Sequence, residues 1–491
     1  MAGWHEDRLL IDGELVTAEG GRTYENISPS TEEVLGVAAD ATVGDTRRAI
    51  AAARRAFDET DWSTDRDLRV RCLRQLHDGL TEKKEEIRQI MIDEVGMPLA
   101  MTYVAGVDEP IKFLGWYADQ LETFEFSEDL GVRTMWGRDN HRWIEKEAAG
   151  VVAAITGYNV PIHLAIAKLG PALAAGCTVV LKAAPQTPWS LLAIGHVIAE
   201  MTDIPAGVVN VITSSELETG VELTVHPDVD VVTFTGSTGV GKQIMSAASG
   251  TLKRVLLELG GKSASIVLDD GDLAAGAQAA ATNVLSHAGQ GCSSTTRLVV
   301  PRARLSEAEG ILAGILGNAP YGDVRDPAHW TGPLITADQQ AKVAGYVERA
   351  IADGAKVVVG GEIPQDKGAG YWYAPTLIVN ADENSEIAQD ELFGPVLVLL
   401  AHDGEEDAIR IANNSIFGLS GAVWGADRER ALKVARAIRT GTFAVNGGSY
   451  YAPDAPFGGY KQSGLGREMG LASFGEFLQH KTIAESVAAP A

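Results

Sequence analysis

The chain has 491 residues, of which 45% are apolar and 22% are charged, so it is long enough for two or three domains. Its net charge of −25 argues against binding to nucleic acid or to an anionic membrane surface, since both are themselves negative. Three cysteines are too few for a disulfide framework, and the first residues lack the pattern of a signal peptide. We therefore expect a cytoplasmic protein with reduced thiols.

The first half of the chain alternates helical and strand patterns. Apolar residues recur with a helical period over Arg47–Glu59 and Leu68–Gly96. Short apolar runs then alternate with helical segments, which predicts a parallel sheet with crossover helices and a ligand site beyond the carboxyl ends of its strands. The predicted elements are strand Gly150–Gly157, strand Thr178–Pro188, helix Trp189–Met201, strand Val208–Ser214, a helix near 216–225, strand Val229–Ser237 and helix Gly239–Ser249.

The alternation restarts after Gly260 and predicts a second α/β unit there. Its elements are strand Ser263–Asp270, helix Asp272–Gly289 and strand Thr296–Pro301. Arg133–Lys146 has the pattern of an outlying hairpin arm. The tail after Phe477 is expected to pair either with this arm or with another subunit. The most apolar region, Leu164–Leu181, is interrupted by Lys168, Gly170 and Pro171, so it is not a membrane span.

One glycine-rich segment, "GSTGVGKQ" over Gly236–Gln243, nearly matches the phosphate loop of nucleotide hydrolases and kinases. That loop ends in a serine or threonine whose hydroxyl binds Mg²⁺, and Gln243 has no hydroxyl. Glycines that open a helix after a strand still present backbone N–H groups to an anion. A dinucleotide pyrophosphate therefore fits this segment better than a metal-bound triphosphate, although a plain tight turn has the same pattern.

Cys292 lies in "HAGQGCSSTTR", where glycines and small hydroxyl residues surround it. A lone cysteine is usually a small buried hydrophobe. A thiolate on an open turn is alternatively the most nucleophilic side chain available at neutral pH. His287, five residues earlier, is expected at a helix end rather than as an activator of the thiol. No His, Cys, Asp and Glu cluster has metal-ligand spacing, so no metal site is expected.

Five motifs occur in order along the chain: "FTGSTGVGK", "LELGGKS", "GQGC", "ELFGP" and "PFGGYKQSGLGRE". With "GVVAAITGYNVP" ahead of them, they resemble the NAD(P)-dependent aldehyde dehydrogenase superfamily from about Leu10 to about Lys481. The resemblance implies oxidation of an aldehyde to a carboxylic acid through a cysteine thiohemiacetal and a thioester. It also implies an α/β fold with a Rossmann-like cofactor domain, an α/β catalytic domain and a small β arm for oligomerisation into a homodimer or homotetramer.

The same resemblance implies three catalytic residues. Cys292 matches the nucleophile, and Asn159 matches the side-chain donor to the oxyanion, together with the Cys292 backbone N–H. Glu258 matches the base that activates water to cleave the thioester, and its apolar neighbours are expected to raise its pKa. Relatives that transfer the acyl group to coenzyme A commonly lack this glutamate, so hydrolysis is favoured over coenzyme A acylation. Intact catalytic positions also argue against a silent structural member of the family.

The resemblance further assigns a cofactor site. Gly236, Ser237 and Gly241 match the pyrophosphate turn, and Glu391 and Phe393 match the residues that hold the nicotinamide ribose and ring. Many NAD-specific relatives have a glutamate three residues after the lysine that contacts the adenine ribose. Here Lys182 is followed at that spacing by Pro185, so NAD is the first choice and NADP remains possible. Trp189 either closes the adenine slot or packs elsewhere, and Lys461 is expected to position neighbouring groups.

Substrate choice is predicted from the residues near the catalytic motifs. The aldehyde tunnel is expected to be lined by Val160, His163, Leu164, Tyr450 and Tyr451. These side chains favour an apolar aliphatic or aromatic aldehyde over a semialdehyde with a carboxylate, because no arginine stands out to bind one. The predicted division is a cofactor domain over 1–124 and 149–258, a catalytic domain over 259–441, an arm over 125–148 and 470–491, and a return segment lining the active site over 442–469.

Overall fold

The computed structural model describes residues 5–487. Residues 1–4 of the predicted cofactor domain and residues 488–491 of the predicted arm lie outside that range. The elements up to the arm are β1 Arg8–Ile11, β2 Glu14–Thr17, β3 Thr23–Ile27, β4 Val34–Ala39, α1 Val43–Glu59, α2 Arg66–Val95, α3 Leu99–Met101, α4 Asp108–Thr123, β5 Ser127–Met135 and β6 Arg138–Ala148.

An eight-stranded sheet follows, in the order β2-β1-β9-β8-β7-β10-β11-β21. Its five central strands are parallel and are joined by helices, while β1 and β21 pair antiparallel at either side of them. Its further elements are β7 Val151–Ile155, α5 Pro161–Ala175, β8 Thr178–Lys182, α6 Pro188–Met201, β9 Val209–Ile212, α7 Leu217–Val225, β10 Val231–Thr235, α8 Thr238–Ala248, β11 Arg254–Glu258 and β21 Gly464–Leu465.

A seven-stranded sheet forms a second layer, in the order β14-β15-β16-β13-β12-β18-β19. All of its pairs are parallel except β14 with β15. Its strands and helices are β12 Ala264–Val267, α9 Leu273–Leu285, β13 Arg297–Pro301, α10 Leu305–Gly317, α11 Ala337–Ala352, β14 Lys356–Val359, β15 Thr376–Val379, α12 Glu386–Gln389, β16 Val396–His402, α13 Glu405–Asn413, β18 Gly421–Trp424, α14 Arg428–Ala437 and β19 Ala444–Val445.

Short elements complete the chain: β17 Phe417–Gly418, β20 Tyr460–Lys461, α15 Ala472–Glu476 and β22 Leu478–Ser486. The tail strand β22 pairs antiparallel with β6 along its whole length, from Leu478 opposite Ala148 to Ser486 opposite Asn140. With β5 these strands form a separate three-stranded sheet. The predicted hairpin and tail therefore pair within one chain, which is one of the two pairings expected from the sequence.

The predicted α/β class with parallel sheets is confirmed. The central strands are rich in Val, Ala, Leu, Ile and Thr and are almost wholly buried, since crossover helices cover both faces of the sheet. α1 begins at Val43, where Thr42 and Asp45 form a capping box, and α2 ends at Gly96 in the left-handed conformation. Among residues 5–487, no helix is long and apolar enough to cross a membrane.

The sequence prediction missed the helix α5. All of its residues are buried, so the apolar and polar alternation by which surface helices are recognised is lacking. α5 lies within the largest apolar core cluster and supplies Ile162, Ala165, Ile166 and Leu169 to it. The position of α5 matters because its first turn follows directly on Asn159.

Candidate active site

The loops after three adjacent strands of the first sheet carry the predicted groups. β7, β10 and β11 lie side by side and run in the same direction, so their carboxyl ends share one edge. The chain connects β7 to β8 on one side and returns to β10 on the other, which makes β7 and β10 the topological switch point. Asn159 follows β7, Gly236 follows β10, and Glu258 ends β11.

A cavity of about 1010 Å³ opens at this edge, between the two large sheets. Asn159, Glu258 and Cys292, the three predicted catalytic residues, all line it. Four of the predicted cofactor residues do so as well, namely Gly236, Ser237, Glu391 and Phe393. All five predicted tunnel residues are also among its walls: Val160, His163, Leu164, Tyr450 and Tyr451. Residues far apart in sequence thus meet at one site.

Cys292 lies on a turn that neighbouring backbone holds from two sides. Backbone packs so closely here that neither Gly261 nor Gly289 has room for a side chain. A Cβ atom at Gly261 would lie 2.4 Å from the Cys292 carbonyl oxygen, and a Cβ atom at Gly289 would lie 2.3 Å from the Gly394 carbonyl oxygen. Gln290 fixes the same turn, since its side-chain amide donates to the Pro333 carbonyl and accepts from the backbone N–H of Ile335. The Cys292 side chain is left half-buried at the cavity wall.

Asn159 is held next to this turn. Its side-chain Nδ2 donates to the Gln290 carbonyl oxygen at 2.9 Å, two residues before Cys292. Asn159 is buried, and Gly157 lies close beside its side chain. A Cβ atom at Gly157 would be in van der Waals contact with the Asn159 Oδ1, at 3.5 Å. The amide is therefore oriented before any substrate binds, as an oxyanion donor has to be.

Glu258 is a buried carboxyl group at the end of β11, with 3% of its surface exposed and no hydrogen-bond partner of normal geometry for either oxygen. Burial raises its pKa well above the usual range, and the nearby Glu468 carboxylate raises it further. Cys292 and the Lys168 ammonium group oppose that rise. The expectation from sequence of a raised pKa agrees with this environment.

The thiol of Cys292 has a raised pKa as well. Burial is the largest cause, and the carboxylates of Glu258, Glu391 and Glu468 add to it. Glu258 has the largest electrostatic effect of the three. Because the thiolate is the nucleophilic form and a raised pKa disfavours it, a nearby base would have to take the thiol proton before the sulfur could attack a carbonyl.

The predicted cofactor residues occupy one side of the cavity. Ser237 caps α8, and its hydroxyl accepts from the Val240 backbone N–H at 3.4 Å. The Glu391 carboxylate accepts from the Gly261 backbone N–H at 3.0 Å, and burial raises its pKa to about 7. Phe393 has a φ of +59°, an uncommon value for a residue with a side chain, and it packs edge-on against Tyr158.

Two predicted cofactor residues do not line the cavity. Lys182 ends β8 on the same sheet edge, where its ammonium group donates to the Ala183 carbonyl at 3.2 Å, and burial lowers its pKa to about 8. Gly241 lies in the first turns of α8, and a Cβ atom there would be 2.7 Å from Leu259, so it allows α8 to pack against that side chain. Pro185 is exposed just beyond Lys182.

The part of the cavity lined by the five predicted tunnel residues, here called the tunnel side, contains two hydrogen-bonded tyrosines. The Tyr451 hydroxyl lies 2.6 and 2.7 Å from the ring nitrogens of His163, and the Tyr450 hydroxyl lies 2.7 Å from the Ser420 hydroxyl. Burial lowers the pKa of His163 to about 4, so this imidazole is neutral. Phe113 packs against both members of the first pair.

Sequence reasoning missed several residues of the site. Phe113 reaches the cavity from α4, and a search of that helix for aromatic residues at helical spacing would have indicated it. Gln290 and Glu468 act through contacts that only the tertiary structure creates. Trp189 is packed instead of lining the cavity, and its indole N–H donates to the Val37 carbonyl at 3.0 Å. The Lys461 ammonium group donates to the carbonyls of Asn413 and Ser415.

Comparison with known proteins identifies the family. The family model described as "Aldehyde dehydrogenase family" matches residues 15–483. The 3-succinoylsemialdehyde-pyridine dehydrogenase of a Pseudomonas species is 38% identical over 97% of this chain and 98% of its own length. A cysteine-to-alanine variant of aldehyde dehydrogenase C from Pseudomonas syringae, solved with NAD⁺ and octanal, has a TM-score of 0.91 and 36% identity over 97% of this chain and 96% of that one.

Betaine aldehyde dehydrogenase from Staphylococcus aureus, solved with NAD⁺, has a TM-score of 0.95 and 34% identity over 99% of this chain and 96% of that one. Both the sequence match and the structural match extend over nearly the full length. The fold and the family expected from the five motifs are thereby confirmed. The chain belongs to the aldehyde dehydrogenase family and is an NAD(P)-dependent enzyme that oxidises aldehydes.

Proposed function

We propose that this enzyme oxidises apolar aldehydes to carboxylic acids, with Cys292 as nucleophile, Asn159 as oxyanion donor and Glu258 as general base. One observation carries the proposal. Three side chains line a single cavity, one from the loop after β7, one from the end of β11 and one from the turn after α9, and each is of the type that one step of this reaction needs.

The residues present fit a dinucleotide. Gly236 leads from β10 into α8, and a Cβ atom at Gly239 would meet nothing within 4 Å, so the first turn of the helix is open to a pyrophosphate. Gly236, Ser237 and Gly241 would form that turn, and Lys182 would contact the adenine ribose. Glu391 and Phe393 would hold the nicotinamide ribose and ring.

Both solved relatives contain NAD⁺, which confirms NAD as the cofactor predicted from the sequence. NAD supplies the acceptor for the hydride that leaves the substrate carbon. We further propose that NADP is accepted as well. Pro185 carries no negative charge that would repel a 2′-phosphate.

The chain's own residues perform the remaining chemistry. Glu258 takes the proton of the Cys292 thiol, and the sulfur adds to the aldehyde carbon to give a thiohemiacetal oxyanion. The Asn159 amide and the Cys292 backbone N–H hold that oxygen. After the hydride leaves, a thioester remains on Cys292. Glu258 loses that first proton to solvent and then takes a second proton from water, and the hydroxide attacks the thioester carbon. The carboxylic acid leaves as the C–S bond breaks, and Glu258 returns the second proton to the Cys292 sulfur.

An apolar aldehyde fits the tunnel side best. Among the described residues that line the cavity, Lys342 is the single lysine, and there is no arginine. A substrate carboxylate therefore has no bidentate partner there. Of the relatives compared above, one was solved with octanal and another is named for a pyridine semialdehyde. The lining of this cavity supports the first kind of substrate.

The competing activities fit less well. Family membership sets aside a nucleotide hydrolase, and Lys242 and Gln243 of the phosphate-loop-like segment are both exposed. A coenzyme A-acylating enzyme needs no base for water, whereas the buried carboxyl of Glu258 lines this cavity. Hydrolysis to the free acid follows from that residue.

We also propose the domain division given above, with the strands β5, β6 and β22 as the oligomerisation arm. Val132 and Met135 of β5 are exposed, as is Trp136 in the turn that follows, which suits contact with a second subunit. The three cysteines are free, which suits the reducing cytoplasm.

The test is an absorbance assay at the band of the reduced nicotinamide, with a panel of aldehydes and NAD, then NADP. We expect turnover of alkanals and benzaldehydes, and no turnover by Cys292→Ala. Cys72→Ala, which removes a buried cysteine outside the cavity, is the matched control and keeps the activity. Normal turnover by Cys292→Ala would overturn the mechanism.

A further inference from the structure

His287 is buried in the wall of the active-site cavity, and its ring has no hydrogen-bond partner of normal geometry. Only 3% of its surface is exposed, and neither ring nitrogen has a partner of normal geometry. Among the described residues that line this cavity, Glu258 and Trp424 are the others with buried, unpaired side-chain atoms. Glu258 is explained by the water it activates, but the proposed reaction has no use for the imidazole.

The backbone around His287 is strained. His287 has a φ of +49° and Ala288 a φ of +54°, both in the left-handed region that residues with side chains avoid. This turn follows the end of α9 at Leu285 and leads to Cys292. Unfavourable backbone conformations together with an unpaired buried ring cost folding free energy, and such costs collect at sites that serve a ligand.

Several other polar side chains that line the cavity are paired within the protein. Tyr451 pairs with His163, and Tyr450 pairs with Ser420. The side chains of Asn283 and Ser286 donate to backbone carbonyls of α9. Of the two histidines that line the cavity, His163 is paired with Tyr451, whereas His287 has no partner of normal geometry and can bind a group from outside the protein.

We propose that His287 is a specificity-determining residue that hydrogen-bonds a hydroxyl group on the substrate. The inference rests on the proposed function and names a narrower substrate class, aldehydes that carry a neutral hydroxyl at a distance from the carbonyl. A neutral imidazole presents one donor and one acceptor, and a hydroxyl can satisfy either of them. A substrate carboxylate would instead need a cationic partner.

The charge state of His287 supports a neutral ligand. Burial lowers its pKa to about 4, and the Asn159 backbone opposes that change. The same proximity to Asn159 gives the competing role, in which the ring only positions the turn beside the oxyanion donor. The two roles differ in one measurable way, because a positioning role affects every aldehyde equally.

The experiment compares hydroxyalkanals with plain alkanals of matched chain length, over a series of increasing length, in the holoenzyme with NAD. The variant His287→Gly removes the ring and keeps a residue that tolerates positive φ. Ala288→Gly relaxes the same turn without removing a polar group and is the control. His287→Asn also tolerates this conformation and gives the same comparison if the glycine variant does not fold.

We expect the wild-type enzyme to have a higher kcat/KM for one hydroxyalkanal length than for its plain counterpart. His287→Gly should lower that ratio about tenfold or more, and Ala288→Gly should leave it in place. Added imidazole should raise the ratio again in His287→Gly and have no effect on it in Ala288→Gly.

An equal loss for both substrate classes in His287→Gly would assign the ring to positioning and overturn the proposal. A wild-type enzyme without preference for any hydroxyalkanal would overturn it as well. In both cases the alkanals are still oxidised, so the proposed function survives. Failure of every aldehyde with the wild-type enzyme would instead contradict the proposed function itself.

Discussion

The side-chain amide of Asn159 donates to the backbone carbonyl of Gln290, 2.9 Å away. This bond ties the loop after β7 in the first sheet to the turn that carries Cys292 in the second. Because Gln290 is itself anchored to Pro333 and Ile335, the amide and the sulfur are fixed relative to each other. The proposed oxyanion site thus depends on a contact between the loops of the two large sheets.

Asn159→Ala should lower kcat by about 10²–10³, because one donor to the developing oxyanion is lost. Single-turnover kinetics of reduced-nicotinamide formation would measure this. The rate at which iodoacetamide alkylates Cys292 is the control, since it reports the thiol without needing the oxyanion donor. A fall in alkylation equal to the fall in kcat would mean that the turn had moved instead.

Glu258→Gln should form the thioester slowly, because the thiol has lost its base, and should then stall there because no base activates water. We expect one equivalent of reduced nicotinamide per active site and an acylated Cys292 detectable by intact-mass spectrometry. In the wild-type enzyme the pKa of Glu258 is raised and the carboxylate is the active form, so deacylation should speed up as pH rises. Steady turnover by the variant at the wild-type rate would show that another group activates the water.

Binding of NAD should depend on the ionisation of Glu391. Burial raises the pKa of this carboxyl to about 7, and the carboxylate accepts hydrogen bonds from ribose hydroxyls better than the neutral acid. The Kd for NAD should therefore fall as pH rises through about 7, by at most about tenfold per pH unit. Fluorescence titration should show this slope in the wild-type enzyme and a flat profile in Glu391→Gln.

Pro185→Glu should shift cofactor preference toward NAD. The new carboxylate would follow Lys182 at the spacing found in many NAD-specific relatives and would repel a 2′-phosphate. We expect kcat/KM for NADP to fall about tenfold or more, with a much smaller change for NAD. Pro185→Gln is the matched control, since it has a similar shape without the charge. Equal changes in both variants would point to loop geometry as the cause.

Lys168→Met should destabilise the fold. The ammonium group is buried and donates to the hydroxyls of Thr233 and Thr235 and to the Glu468 carboxylate. Removing one partner of a buried pair leaves the other charge uncompensated, which costs about 3–5 kcal/mol. Denaturant unfolding measures the loss. The double variant Lys168→Met with Glu468→Leu should recover much of it, and no recovery would mean that lost packing was responsible.

Local signals were enough to predict much of the fold. The strands β7, β8 and β10 are runs of buried apolar residues that end at predicted turns, and helices α1 and α2 have clear amphipathic periods and caps. α5 could not be recognised in the same way, because helices buried on all sides lose that period. The arm pairing of β22 with β6 depends on residues more than 300 positions apart in the chain, and the sequence left two partners open.

The candidate site, like the fold, was only partly predictable from the sequence. Cys292, Glu258 and Asn159 were predicted because each belongs to a recognisable motif. The bond from Asn159 to Gln290 and the pairing of Tyr451 with His163 involve residues 131 and 288 positions apart, which no local pattern encodes. The unpaired state of His287 is likewise a property of its surroundings. Its sequence position predicted only a helix end, and α9 does end two residues before it.

Residues 446–463 connect the two large sheets directly. β19 belongs to the seven-stranded sheet and β21 to the eight-stranded sheet, and Tyr450 and Tyr451 lie on the stretch between them. A hinge movement that parted the sheets would pull on both ends of this stretch at once. Such a movement would therefore displace Tyr450 and Tyr451 at the proposed aldehyde entrance, and cutting the chain there would release that link.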